Sequence, residues 1–186
     1  LFFCFLRLPT AAVSCRFLLS LHLSNQYDQV SDKAHRPSFD EIYMELAMNL
    51  SKRSHCVKAQ VGAVLTKDTR IISLGYNGPP AGTHNCDLEW PGVGCPRDSK
   101  GSCSLALHAE QNAILYAAKN HGTIEGATLY VTLSPCIACA RVIYTTGIKE
   151  VFYVNSYAEF KGLPSDEGVD FLQKFGVKVS RFIPNT

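Results

Sequence analysis

Two short stretches carry residue types that could do chemistry: LHAEQNAI over Leu107–Ile114 and SPCIACA over Ser134–Ala140. In the first, His108 stands two residues before Glu110 at what reads as a helix start; in the second, Cys136 and Cys139 are three apart and follow Pro135. Residues at that spacing project from one side of a helix, and the free amides at a helix N-terminus favour thiolate over thiol. Such a pair binds zinc. A strand over Ala127–Leu133, joining a helix from His108 to a helix from Cys136, sets both helix starts at one end of a sheet and makes His108 the third ligand. Three protein ligands leave one tetrahedral position for water, which marks a catalytic rather than a structural zinc. One neutral imidazole and two thiolates cancel the charge of the ion, so the water is acidified less than at a His-only site and needs a nearby base. Glu110 is placed for that role without ligating. Singly, His108 reads as a capping or surface residue, and Cys-x-x-Cys as a redox pair or half of a four-ligand zinc. Their order around one strand, with Glu110 and Pro135, favours the site.

The elements that must position these residues follow from pattern. Ser38 with Glu41 three positions on predicts a capped helix through about Arg53, with Ile42, Leu46, Met48 and Leu50 apolar. VGAVLT (Val61–Thr66) and RIISLGY (Arg70–Tyr76) are β-branched runs around KDT, the pattern of a hairpin. GYNGPPAG (Gly75–Gly82) opens a long irregular stretch to about Leu105, which needs a function or an internal staple. A helix is expected over His108–Asn120, a buried strand over Ala127–Leu133, and a helix over Cys136–Thr146, with Pro135 suiting its first turn. EVFYVN, a helix over Asp166–Phe175 and a short edge strand VKVSRF complete the chain. Alternation of strand and helix predicts an α/β domain with parallel neighbours and helices on both faces of the sheet.

Composition bounds the partners. The chain has 186 residues, 46% hydrophobic and 18% charged, enough for one domain with a real core. A net charge of +2 gives no broad basic face, so a small ligand is expected and no stable nucleic-acid partner. Eight cysteines grouped with His, Asp and Glu point to metal before disulfides. Arg7, Pro9 and Arg16 interrupt the apolar N-terminal stretch, leaving no run near the roughly 20 residues a bilayer needs. It also lacks the basic start of a secretory signal, and AVSC (Ala12–Cys15) matches a lipoprotein box only loosely. Residues 1–35 are expected to be a leader or tail, disordered or not native, ahead of a domain over 36–186. No membrane partner is expected, and a cytoplasmic location is.

His-x-Glu with Pro-Cys-x-x-Cys is the signature of zinc deaminases. From about Phe39 to Pro184 the chain resembles the deoxycytidylate (dCMP) deaminases of the cytidine-deaminase superfamily, through KRSHC, QVGAVL, GYNGPPAG, LHAEQNAI, EGATLYVTLSPCIACA and GIKEVFY. HAE with PCxxC marks the superfamily, and GYNGPPAG combined with HAEQNAI narrows it to this branch. The resemblance implies a three-layer α/β/α fold around a five-stranded mixed sheet, a homo-oligomer with a hexamer favoured, and hydrolysis of dCMP to dUMP and ammonia. It implies that Asn77 contacts the nucleotide, that Ser134 offers its backbone to the base, and that Tyr157 and Lys58 serve the phosphate. A turn asparagine, a half-buried tyrosine and a solvated lysine are the alternatives. dCTP and dTTP are expected effectors. It further implies a second, structural zinc, since Cys56 and Cys86 match ligand positions of some bacterial and phage members. Cys95 and Cys103, with His84 as a substitute for either, would complete a closed site; free buried thiols are the alternative. A tRNA adenosine deaminase would be expected to show a glycine-rich continuation after the second cysteine, where ARVIY stands. A non-catalytic zinc protein would have no use for Glu110.

Overall fold

The computed structural model describes residues 36–89, 95–99, 101, 103–120 and 122–184, and those from Ser38 onward pack as one unit. The expected leader, 1–35, lies outside the described residues. Helix α1, Phe39–Ser51, starts as the sequence predicts: Glu41 N–H donates to Ser38 Oγ at 3.2 Å and Ser38 N–H to the Glu41 carboxylate at 2.6 Å, a reciprocal capping box. Strands β1 (Gly62–Lys67) and β2 (Arg70–Tyr76) form the hairpin. Its turn is the two residues Asp68 and Thr69, not KDT, because Lys67 already pairs with Arg70. Both turn residues have positive φ (50° and 60°), which matches the right-handed twist of the strands. The Tyr43 hydroxyl of α1 holds that turn by donating to the Thr69 carbonyl at 2.7 Å.

The remaining elements are α2 (Cys86–Glu89), α3 (Ala109–Asn120), β3 (Thr128–Leu133), α4 (Ile137–Thr145), β4 (Glu150–Asn155), α5 (Tyr157–Lys161), α6 (Glu167–Lys174) and β5 (Lys178–Arg181). The sheet runs β2-β1-β3-β4-β5, antiparallel across β2/β1 and β1/β3 and parallel across β3/β4 and β4/β5. This is the mixed five-stranded, three-layer fold expected. The two-residue period of the strands sorts the core. Ala63, Leu65, Leu129, Val131 and Val151 point to the face covered by α3, α4 and α6; Val64 and Tyr130 point to the face covered by α1. On that second face Phe39, Tyr43, Tyr130 and Phe152 form a row, with successive ring centroids 5.2–5.7 Å apart, stacked at either end and tilted between the two tyrosines.

Three local expectations need correction. The stretch after GYNGPPAG has structure of its own: α2, a bridge between Gly78 and Leu107, and another between Arg97 and Cys103. Pro135 lies outside α4, not in its first turn, because Cys136 is extended (φ −67°, ψ 166°) and serves as the N-cap. Helix α5 was not expected; Ser156 caps it by accepting from Glu159 N–H at 3.1 Å, and Gly162 ends it. Among the described residues no helix is long and apolar enough to cross a membrane.

Candidate active site

Because β1 is antiparallel to both β2 and β3, strands β2, β3 and β4 all end at one edge of the sheet. Ligand sites of open α/β sheets form outside such carboxyl ends. From β2 the chain reaches α3 through the loop, and the Gly78–Leu107 bridge returns it to the strand end: Gly78 N–H donates to Leu107 O at 3.1 Å and Leu107 N–H to Gly78 O at 2.9 Å. His108 follows directly, its N–H capped by Gln111 Oε1 at 3.0 Å. Asn112 Nδ2 donates to Tyr76 O at 2.7 Å and Ser73 Oγ to Ala113 O at 2.7 Å, fixing α3 against β2. The helix approaches closely because residue 75 is glycine; a Cβ there would run into the Ala109 carbonyl oxygen and the Ala113 amide. Gly168 of α6 plays the same part behind the Pro135–Cys136 turn, where a Cβ would run into the Pro135 carbonyl oxygen.

His108 Nδ1 lies 3.5 Å from Cys136 Sγ and 3.3 Å from Cys139 Sγ, and the three donor atoms fall within 4.8 Å of one another. Tetrahedral zinc with bonds of about 2.3 Å to sulfur and about 2.1 Å to nitrogen places such donors about 3.6 Å apart, so the residues fit the ion. A hydrogen bond from Cys139 holds Cys136 down to about 4 despite burial, with His108 helping, while the same bond and burial push Cys139 up. Hydrogen bonding to Cys136 in turn raises His108. One imidazole and two thiols, with Cys136 favoured as the thiolate, make a donor set suited to a divalent cation.

Glu110 is buried, 4% exposed, on the first turn of α3. Burial pushes its carboxyl up to about 7 against the pull of His108, and it lies within hydrogen-bond reach of Cys139. His108, Glu110 and Cys136 line a cavity of about 190 Å³ together with Asn77, Ser134, Tyr157 and Lys58, so all the predicted substrate residues face one space. Within it Asn77 is strongly engaged: Oδ1 accepts from Val61 N–H at 2.8 Å and Nδ2 donates to Ala59 O at 2.8 Å. Lys58 Nζ donates to Gly101 O at 2.8 Å. Ser134 is buried, and its hydroxyl accepts from Tyr157 N–H at 2.7 Å and donates to Asp166 Oδ2 at 3.0 Å. Burial raises the Tyr157 phenol, and Cys136, Cys139 and Glu110 add to the effect. Phe160 and Lys161 also line the cavity, and Lys161 Nζ stands 5.3 Å from the Phe160 ring centroid. Sequence reasoning passed over both because it passed over α5. The signal was there, in the Ser and Gly that bound SYAEFKG.

A second group of donors meets behind the loop. Cys86, Cys95 and Cys103 bring their sulfurs within 4.8 Å of one another, and Cys56 lines the same void of about 10 Å³. Cys103 Sγ accepts from Ala106 N–H at 3.2 Å. Burial raises Cys86 to about 11 and also raises Cys95; burial pushes Cys103 the same way, but bonds from the Ala106 and Leu105 amides and from the other two thiols outweigh it. His84 is exposed and stands outside the converging group. Three thiols around a void of this size fit a soft-ligand cation.

A helix-covered mixed sheet with an imidazole, two thiols and a buried carboxyl at the carboxyl ends of its strands is the architecture of the cytidine-deaminase class. The model for the cytidine and deoxycytidylate deaminase zinc-binding region matches residues 37–155, and the chain belongs to this family, in its deoxycytidylate branch. It is 38% identical over 176 residues to the deoxycytidylate deaminase of Schizosaccharomyces pombe, covering 89% of this chain and 52% of that protein. It is 37% identical over 169 residues to the deoxycytidylate deaminase of Enterobacteria phage T2, covering 73% of this chain and 88% of that one. The crystal structure of dCMP deaminase from cyanophage S-TIM5 in complex with dCMP and dUMP superposes with a TM-score of 0.65 at 36% identity, covering 79% of this chain and 98% of that chain. The chain spans about half the length of the yeast relatives it matches.

Proposed function

We propose that the chain catalyses hydrolytic deamination of dCMP to dUMP and ammonia, a step that supplies the precursor of dTMP. The observation that carries this reading is the buried Glu110 beside the His108, Cys136 and Cys139 donors at the floor of a cavity. Its likeness to a dCMP- and dUMP-bound deaminase supports the choice of substrate. Zinc held by His108, Cys136 and Cys139 supplies Lewis-acid chemistry that makes a water nucleophilic near neutral pH. Glu110 takes a proton as water adds to C4 of the cytosine, and delivers it to ring N3. It then takes the proton of the hydroxyl now on C4 and passes it to the exocyclic amine, so that C4=O forms as the C4–N4 bond breaks and ammonia leaves dUMP. A carboxyl raised toward 7 is matched to accepting and returning a proton in this pH range. Asn77, Ser134, Tyr157 and Lys58 form the nucleotide pocket, with Ser134 offering backbone to the base and Tyr157 and Lys58 turned to the phosphate. Cys56, Cys86, Cys95 and Cys103 hold a structural zinc that fixes the loop behind Asn77. The active form is a cytoplasmic homo-oligomer, a hexamer, activated by dCTP and inhibited by dTTP. Ammonia release from dCMP, dCTP, cytidine and adenosine-containing tRNA, measured side by side, tests the proposal. dCMP should be the fastest; release from tRNA alone would overturn it.

A further inference from the structure

Asp166 is the hub of a hydrogen-bond network that reaches the site from behind. Its Oδ2 accepts from Ser134 Oγ at 3.0 Å and from Ser156 Oγ at 2.7 Å, and its Oδ1 accepts from Ala158 N–H at 2.8 Å. Ser134 Oγ in turn accepts from Tyr157 N–H at 2.7 Å. One carboxylate therefore ties together the loop after β3, the cap of α5 and the first turn of α5. Two residues later Gly168 packs on the Pro135–Cys136 backbone, so the same helix start also backs the turn that carries a cysteine ligand. Asp166 itself does not line the cavity, whereas Ser134 and Tyr157 do.

We infer that Asp166 is a positioning residue, setting Tyr157 and the Ser134 backbone against the bound nucleotide. The chemistry favours a carboxylate here over any neutral side chain. It must accept from two hydroxyls and an amide at once, and an acceptor that carries charge bonds each more strongly. Because Ser134 and Ser156 are buried, deleting the acceptor leaves two hydroxyl hydrogens and the Ala158 amide without an acceptor, and α5 shifts to find one. Displacement of that kind weakens nucleotide binding, because Tyr157 moves with α5. It leaves the proton chemistry of Glu110, which belongs to α3, in place.

This inference rests on the deaminase reading, and its test separates the two. Asp166→Ala, Tyr157→Ala and the double variant are compared for KM and kcat on dCMP, with turnover normalised to zinc content. Asp166→Ala should raise KM about tenfold with kcat per zinc nearly unchanged. The double variant should raise KM no further than the larger single effect, since residues acting through one contact are not additive. Asp166→Asn keeps an oxygen for the two hydroxyls but turns an NH₂ toward Ala158 N–H; it should show an intermediate rise and serves if the alanine variant does not fold. Amide hydrogen exchange of Tyr157 and Ala158, read without substrate, should quicken in Asp166→Asn. A KM that stays at the wild-type value in both Asp166 variants, or single effects that multiply in the double, would overturn the inference. If the wild type does not consume dCMP, the function reading fails instead. Exchange then decides alone, and unchanged exchange at Tyr157 and Ala158 refutes the positioning role.

Discussion

Glu110 and the two cysteines next to it make opposite demands on the ion, and substitution separates them. Glu110 is buried and is not one of the three converging donors. Glu110→Gln should reduce dCMP turnover by about 10²–10⁴-fold, the usual worth of general acid–base work, while zinc content stays at the wild-type level. Loss of metal together with activity would reassign Glu110 as a ligand. Cys136→Ser or Cys139→Ser should remove both, because an alcohol is a poor zinc ligand, and metal analysis after dialysis reads the difference. At this scale most of the site was legible in the sequence. His108, Glu110, Cys136 and Cys139 have residue types with few other joint uses, and their spacing survives translation into helix geometry. Asp166 was legible only as a helix start. Its partner in the loop after β3, Ser134, is 32 positions away, and no local pattern announces a contact at that separation.

Among the elements, the close approaches at Gly75 and Gly168 set how near α3 lies to β2 and α6 to the Pro135–Cys136 turn. A methyl group at either must push back α3 or the Pro135–Cys136 turn, and overpacking of this kind costs about 1–3 kcal/mol. Gly75→Ala and Gly168→Ala should both lower the urea midpoint by a corresponding amount. Gly75→Ala should also loosen catalytic zinc, since it displaces the helix that starts next to His108; a midpoint equal to wild type in both would show that the neighbours yield freely. The elements were read well where hydrophobic period was long. Helix α1, the hairpin and β3 fall within a residue or two of expectation because capping and β-branched runs are local signals. Helix α5 has five residues and α2 four, too few to show a period, and both lie where tertiary bonds do the ordering.

Over the whole molecule, the proposed division between a catalytic and a structural donor group can be read from metal content. His108→Ala should lose the catalytic ion and retain one zinc per chain. Cys56→Ser should lower the wild-type content, and unchanged content in that variant would remove Cys56 from the second site. The parallel crossovers were legible from the order of elements, whereas the five-stranded mixed sheet was implied only by the family resemblance; aligning the carboxyl ends of β2, β3 and β4 takes the antiparallel β1/β3 pairing as well as the hairpin. The Gly78–Leu107 bridge has a further consequence, for the lifetime of the metal. On its N-terminal side His108 is anchored through Leu107 by one reciprocal pair of backbone bonds lying outside any helix or strand. A ligand held this way can be released by a local opening far smaller than global unfolding. Catalytic zinc should therefore pass to a strong chelator at a rate that hardly responds to low urea concentrations, because an opening that exposes so little surface has a small m-value.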